Sequence, residues 1–142
     1  MQAFILESPN RPGEFARQAQ AIAARDINVA AISLGFGQVG GSAFLARDEA
    51  GVRSALSTAG LKYTEVPVLT VALEDRPGMA AKVAKKLADA GVNIQLFAPV
   101  TYADGTATIA IGVDKIEEAR RVLSDQLKTW EVPEIVHAGV SR

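Results

Sequence analysis

The sequence predicts an α+β protein in which one strand-helix-strand-strand-helix-strand unit is used twice. Three observations carry that expectation. Arg11-Pro12-Gly13 returns as Arg76-Pro77-Gly78, and the shift of 65 positions also lays Ala16 on Ala81, Ala19 on Ala84 and Asn28 on Asn93. Each tripeptide follows a short apolar run and opens an alanine-rich stretch of helical spacing. Each of those stretches leads into two β-rich runs around a glycine-bearing turn, and then into a second helical stretch.

Residues 3–7 read as the first strand, with Pro9 and Asn10 marking the turn after it. Over residues 13–25, Phe15, Ala19, Ile22 and Ala23 recur at helical spacing, with Arg17, Gln18, Gln20 and Arg25 elsewhere on the wheel. This is an amphipathic helix with one face for a sheet. Residues 27–34 and 42–46 are rich in β-branched and small apolar residues and flank a glycine-rich turn, 35–41, so they form a hairpin. Asp48 and Glu49 put negative charge at a helix start, and Val52, Ala55, Leu56 and Ala59 carry the helical period to Gly60, a natural stop. Residues 62–66 make the last strand of the unit.

Pro67 separates the two units with almost no linker, which gives domains of residues 1–66 and 67–142. The second unit repeats the order with strand 68–73, helix 78–90, strands 92–98 and 106–113, helix 115–127 and strand 130–136. Its hairpin turns at Tyr102-Ala103-Asp104-Gly105, where Asp-Gly is a strong turn signal. In the last helix Ile116, Ala119, Val122, Leu123 and Leu127 form the buried face; residues 138–142 are expected to be loose. This strand order is the split βαβ, or ferredoxin-like, arrangement, an antiparallel four-stranded sheet with both helices on one face. Units this small bury only about 60% of their unfolded surface and leave open sheet edges. They are therefore expected to join side by side into an eight-stranded sheet, with the helices on one side and the bare face serving as a dimer surface.

Charge and composition exclude several functions. Fifteen basic residues against sixteen acidic ones give a formal net charge of −1, without the basic excess of a nucleic-acid or membrane-surface binder. There are no cysteines, hence no disulfides, thiolate metal sites or cysteine nucleophile. The first residues lack the features of a signal peptide, and no apolar run reaches the roughly 18–20 residues of a membrane span, so a cytoplasmic protein is expected. His137 is the single histidine, and Glu117 and Glu118 read as a solvated helix surface. Gly35-Phe36-Gly37 and Gly40-Gly41 lie between strands rather than before a helix, and no lysine follows, so they are no phosphate loop. Among aromatics, strands 42–46 and 106–113 offer only Phe44, too few for an RNA-binding sheet. No acid–base or nucleophile set, metal site or cofactor motif is visible, and the protein is not expected to be an enzyme.

Both strand-to-helix turns carry the remaining chemistry. With Pro12 and Pro77 at the first helical position, the cap residue is Arg11 or Arg76, and arginine has no acceptor with which to cap. The N–H groups of Gly13, Glu14 and of Gly78, Met79 then face outward, at the positive end of a helix dipole suited to a small carboxylate. Alternatively, Asn10 or Asp75 reaches across and satisfies those amides, and Arg11 and Arg76 are solvent-facing. Asn28 and Asn93, at the start of the next strand, offer both a donor and an acceptor, which suits a zwitterion. Alternatively they tie the helix–strand corner to its own backbone.

A strand, then Asp75-Arg76-Pro77-Gly78, an alanine-rich helix and Ala90-Gly91-Val92-Asn93-Ile94 resembles the ACT domain over residues 74–94. Asn10-Arg11-Pro12-Gly13 with Asp26-Ile27-Asn28-Val29 is similar, but Asn10 replaces the aspartate and no glycine precedes Ile27. With both copies the resemblance covers nearly the whole chain, a stand-alone tandem ACT protein. It implies an amino acid bound between units, by the loop residues Asn10, Arg11, Pro12, Gly13 and Asp75, Arg76, Pro77, Gly78 of one unit and by Asn28 or Asn93 of its neighbour. It also implies a regulatory homodimer acting on a metabolic enzyme or regulator. Because Asp75 is matched by Asn10, the two sites are expected to differ. A subunit that binds another protein without any ligand is the alternative, and a small enzyme of this fold is a third.

Overall fold

The computed structural model describes residues 1–134. Ten elements follow in the order β1 (Gln2–Pro9), α1 (Glu14–Ala23), β2 (Ala30–Phe36), β3 (Val39–Leu45), α2 (Glu49–Thr58), β4 (Thr64–Glu74), α3 (Met79–Asp89), β5 (Ile94–Ala103), β6 (Thr106–Val113) and α4 (Ile116–Val122). The strand-helix-strand-strand-helix unit is thus present twice, and all paired strands are antiparallel, in the order β2-β3-β1-β4-β6-β5.

The two units join side by side through β4. Instead of two strands meeting at Pro67, one strand of 11 residues runs through it. Residues 64–67 pair with β1, and residues 68–74 with β6. Proline has no N–H to give, and it stands where the ladder changes from one neighbour to the other, so the strand continues past it. The expected final strand is reduced to a short graft on the same β4. Ala72 N–H donates to Gln126 O and Lys128 N–H to Thr70 O, both at 2.9 Å, with Leu127 bridging Val71. Helix α4 therefore ends well before residue 127, and Leu127 is partly exposed rather than in the helix's buried face. Residues 130–134 form no strand; the rest of that expected strand, His137 and the 138–142 tail lie outside the described residues.

In each unit both helices cover one face of the sheet. Phe4, Leu6, Ile22, Phe44, Val52 and Leu56 form one buried cluster, and Leu69, Val71, Val83, Leu87, Ile109, Ile111 and Leu123 another. The opposite, helix-free faces form a third. Ala3, Ala43 and Leu45 of the first unit are buried with Val68, Leu96, Ala98 and Ala110 of the second. In a flat sheet β3 and β5 would lie about 19 Å apart, four strand spacings. Here a cavity of about 300 Å³ is lined by Ala43 and Leu45 on one side and by Leu96, Ala98 and Val100 on the other. The sheet is folded across β4, and the face expected to remain open for dimerisation is closed by its own other half.

Helix ends follow from local chemistry. Asp48 caps α2 by accepting from Gly51 N–H at 2.9 Å. Past α2 and α3 the chain reverses through Gly60 (φ 68°) and Gly91 (φ 71°), and Leu61 and Val92 N–H donate back to Leu56 and Leu87 O at 2.9 Å. No glycine stands after α1; Asp26 takes the left-handed turn instead, at φ 56°.

Candidate functional site

Helices α1 and α3 start in the same unusual way. Gly13 (φ 88°) and Gly78 (φ 89°) are the cap residues, in the left-handed conformation, and no side chain caps either helix. The prolines precede the caps rather than opening the helices, because the chain needs glycine's positive φ to turn out of the strand. The first helical bonds run from Arg17 N–H to Gly13 O at 2.9 Å and from Lys82 N–H to Gly78 O at 3.0 Å. Among the described residues no acceptor meets the N–H groups of Glu14, Phe15 and Ala16, or of Ala80 and Ala81. Each helix therefore offers open amides at the positive end of its dipole.

Asn10 does not close them. Its Nδ2 donates to Gly37 O at 3.0 Å and its own N–H to Gln38 O at 2.9 Å, tying the loop to the β2–β3 turn. The amide side chain lies so close to Gly35 that a Cβ there would come within 2.5 Å of Oδ1. Asp75 N–H makes the matching bond to Gly105 O at 2.8 Å, across the β5–β6 turn.

The arginines are balanced locally. Arg11 Nε donates to Glu14 Oε1 at 2.7 Å and Arg17 Nη2 to Glu14 Oε2 at 3.1 Å. Glu14 is only 8% exposed, and these bonds, Arg11's first, hold its carboxyl below the ordinary value of 4.5. Arg76 Nε donates to Glu74 Oε2 at 2.5 Å. A cavity of about 70 Å³, room for about two waters, lies among Ser8, Asn10, Arg11, Glu14, Ser33 and Ser42.

Asn28 and Asn93 stand in the connections before β2 and β5 rather than within the strands. Asn28 Nδ2 donates to Pro133 O at 2.8 Å. Beside it Arg47 Nε donates to Val132 O at 2.9 Å, while Nη1 meets Glu134 Oε1 at 2.9 Å and Nη2 meets Glu131 Oε2 at 3.3 Å. Asn28, Arg47, Val132, Pro133 and Glu134, with Arg25, Asp26 and Asp48, line a cavity of about 560 Å³. At the corresponding corner of the second unit Asn93 N–H donates to Asp114 Oδ1 at 2.9 Å, and its side chain makes no hydrogen bond among the described residues. The loop and the asparagine of one unit lie at opposite ends of a ten-residue helix, about 15 Å apart. The cavity beside the 10–13 loop is separate from the one at Asn28, so one described chain does not bring a loop and an asparagine into a shared pocket.

Sequence reasoning missed Glu14, Gln18 and Arg47. Gln18, placed off the apolar face of the wheel, is 1% exposed with its Oε1 unpaired among the described residues, because Glu14, Gln18 and Ile22 are the stripe that meets the sheet, while Phe15 stacks on Phe44 from its flank. Arg47 could have been found by aligning the hairpins on their own register: the pairs Phe4–Phe44 and Leu69–Ile111 set Arg47 against Asp114.

Among the described residues no cluster of histidine, aspartate or glutamate could hold a metal ion, and no helix is long and apolar enough to cross a membrane. No protein-family model matches the sequence, and no curated relative does. Solved structures do resemble it. A protein from Bacteroides thetaiotaomicron superposes with a TM-score of 0.73 at 19% identity, over 89% of this chain and 90% of that one. The regulatory subunit of aspartate kinase from Thermus thermophilus, in its ligand-free form, gives 0.59 at 22% identity, over 89% and 91%. A structure of aspartokinase alpha and beta subunits gives 0.61 at 25% identity, over 87% and 90%. The fold is the one these chains share.

Proposed function

We propose that this chain is a non-catalytic regulatory protein of two ACT-like units, residues 1–66 and 67–142, that binds an amino acid and acts on a metabolic enzyme or regulator. The observation that carries this reading is the pair of uncapped helix starts, with Gly13 and Gly78 at φ 88° and 89° and open amides behind each. Two matched departures from ordinary capping suit a carboxylate, and asparagine or Asp75 suits the ammonium beside it. Fold likeness to the regulatory subunit of aspartate kinase from Thermus thermophilus supports the regulatory part of the reading.

The ligand is proposed to sit between chains, the loop of one meeting the asparagine of another, in a homodimer. The open edge of β2 supports such an assembly: Leu34 and Phe36 are each 68% exposed on a strand with one unpaired side. The same apolar edge favours the second reading, a subunit that binds another protein without any ligand. A thermal-shift screen against the twenty amino acids separates the two. An amino acid at 100 times its dissociation constant should stabilise the fold by about 2.7 kcal/mol. Loss of that shift in Asn93→Ala or Gly78→Val would locate the ligand at the second unit's residues, and its loss in Asn28→Ala at the first unit's; no shift for any amino acid would favour the second reading.

A further inference from the structure

The chain leaves α4 in the second unit, grafts onto β4 and then crosses to the first unit as a strap. Trp130 packs on the cluster between the two units, and Val132 is 3% exposed within it. From that anchor Glu131, Pro133 and Glu134 reach the corner at Asn28. Arg47 receives two carboxylates and one carbonyl from the strap, and the donor of Asn28 is taken by Pro133 O. Among the described residues the second unit has no such arrangement. Where the first has Arg47 the second has Asp114, which binds the backbone of Asn93 and leaves the asparagine side chain without a hydrogen bond among the described residues.

We propose that residues 131–134 are a built-in competitor at the Asn28 corner, and that an acidic amino acid, its side-chain carboxylate on Arg47, expels the strap. The proposal rests on the reading of Asn28 as a ligand residue and adds to it the class of ligand. Arg47 already pairs with two glutamate carboxylates, donating to Glu134, and its planar fork suits them better than a point charge would. In the proposed dimer a ligand with one carboxylate would satisfy the helix-start amides of the second chain and leave Arg47 to the strap; a ligand with two satisfies both. The cavity of about 560 Å³ has room for it, and Asp26, on its wall, offers a charge to the ammonium. Since the strap begins at α4 and ends on the first unit, its release is the means by which occupancy of one unit reaches the other.

Trp130 is the only tryptophan and sits on the strap, so its emission reports the strap directly. Titrating the intact protein with L-aspartate and L-glutamate should shift Trp130 emission to the red, and L-asparagine and L-glutamine should not. In Glu131→Gln/Glu134→Gln the emission should be shifted before any ligand is added, with affinity for the acidic amino acid raised about fivefold, the worth of an exposed ion pair at its upper range. Arg47→Gln should shift the emission as well but lose the ligand, an opposite sign that a merely structural clamp would not produce. If calorimetry shows aspartate or glutamate binding with Trp130 unmoved, or with equal affinity for wild type and Glu131→Gln/Glu134→Gln, the strap proposal is overturned and the proposed function stands. The same holds if only other amino acids bind. If no amino acid binds wild type or either variant, both fall together.

Discussion

The two units share their backbone instructions and differ in what fills them. Arg-Pro-Gly turns both chains out of a strand at nearly the same φ and leaves both helix starts open. Beneath those starts, α3 presents Met79, Val83 and Leu87 to its sheet, where α1 presents Glu14, Gln18 and Ile22. The second unit has an aliphatic interior at its loop end. The first has a charged and an amide side chain there, one held by two arginines and one with an unpaired oxygen. A repeat therefore specifies where chain reversals and helix starts fall, while the chemistry presented at each is set position by position. At the opposite corners the contrast returns as Arg47 against Asp114, one reaching for the C-terminal segment and one for its own loop.

The units differ in composition but should not differ in fate, because β4 belongs to both ladders and the third cluster draws residues from both. Phe44→Ala strips the first unit's core and the ring that stacks on Phe15, and should cost about 3–5 kcal/mol. Thermal unfolding followed by circular dichroism should still show one transition, at lower temperature. Two separated transitions would mean that the units are independent in spite of the shared strand.

A smaller effect sharpens the comparison of helix ends. Asp26 performs at φ 56° the turn that Gly91 performs at φ 71°. A non-glycine residue there costs about 1–2 kcal/mol, so Asp26→Gly should raise stability by about 1 kcal/mol in urea denaturation, with Gly91→Ala moving it the other way. An unchanged midpoint for Asp26→Gly would mean that its carboxylate contributes as much as the strain removes.

The smallest expected effect depends on pH. Because Arg11 and Arg17 hold the Glu14 carboxyl below its ordinary 4.5, Glu14 contributes stability that is present above that value and is lost as pH falls through the lowered one. The stability difference between wild type and Glu14→Gln should accordingly shrink as pH drops below 4.5. Its counterpart Met79 has no charge, and Met79→Leu should show no such dependence. A difference between wild type and Glu14→Gln that is constant across this range would place the role of Glu14 in packing rather than in its charge.

Sequence patterns revealed what is periodic and local. The helical spacing of Val83 and Leu87 and the Asp-Gly turn at 104–105 sit where their residues implied, and each Arg-Pro-Gly does turn a strand into a helix, though with glycine rather than arginine as the cap. What stayed hidden depends on contacts between distant residues. Nothing in Ala43, Leu45, Leu96 or Ala98 says that their faces meet, since a small apolar residue reads the same on a bare face as in a sandwich. Pro67 reads as a break because the ladder around it is invisible in one dimension. Arg47 reads as a surface arginine until the 131–134 segment, more than eighty positions away, is laid across it.

The most direct test of the central claim is a ¹⁵N correlation spectrum of the intact protein with the twenty amino acids added in pools. The amide resonances of Glu14 to Ala16, or of Ala80 and Ala81, should move downfield with at least one pool, as a carboxylate accepts from the open helix start. Those resonances staying fixed in every pool would contradict it, whatever else in the spectrum moved.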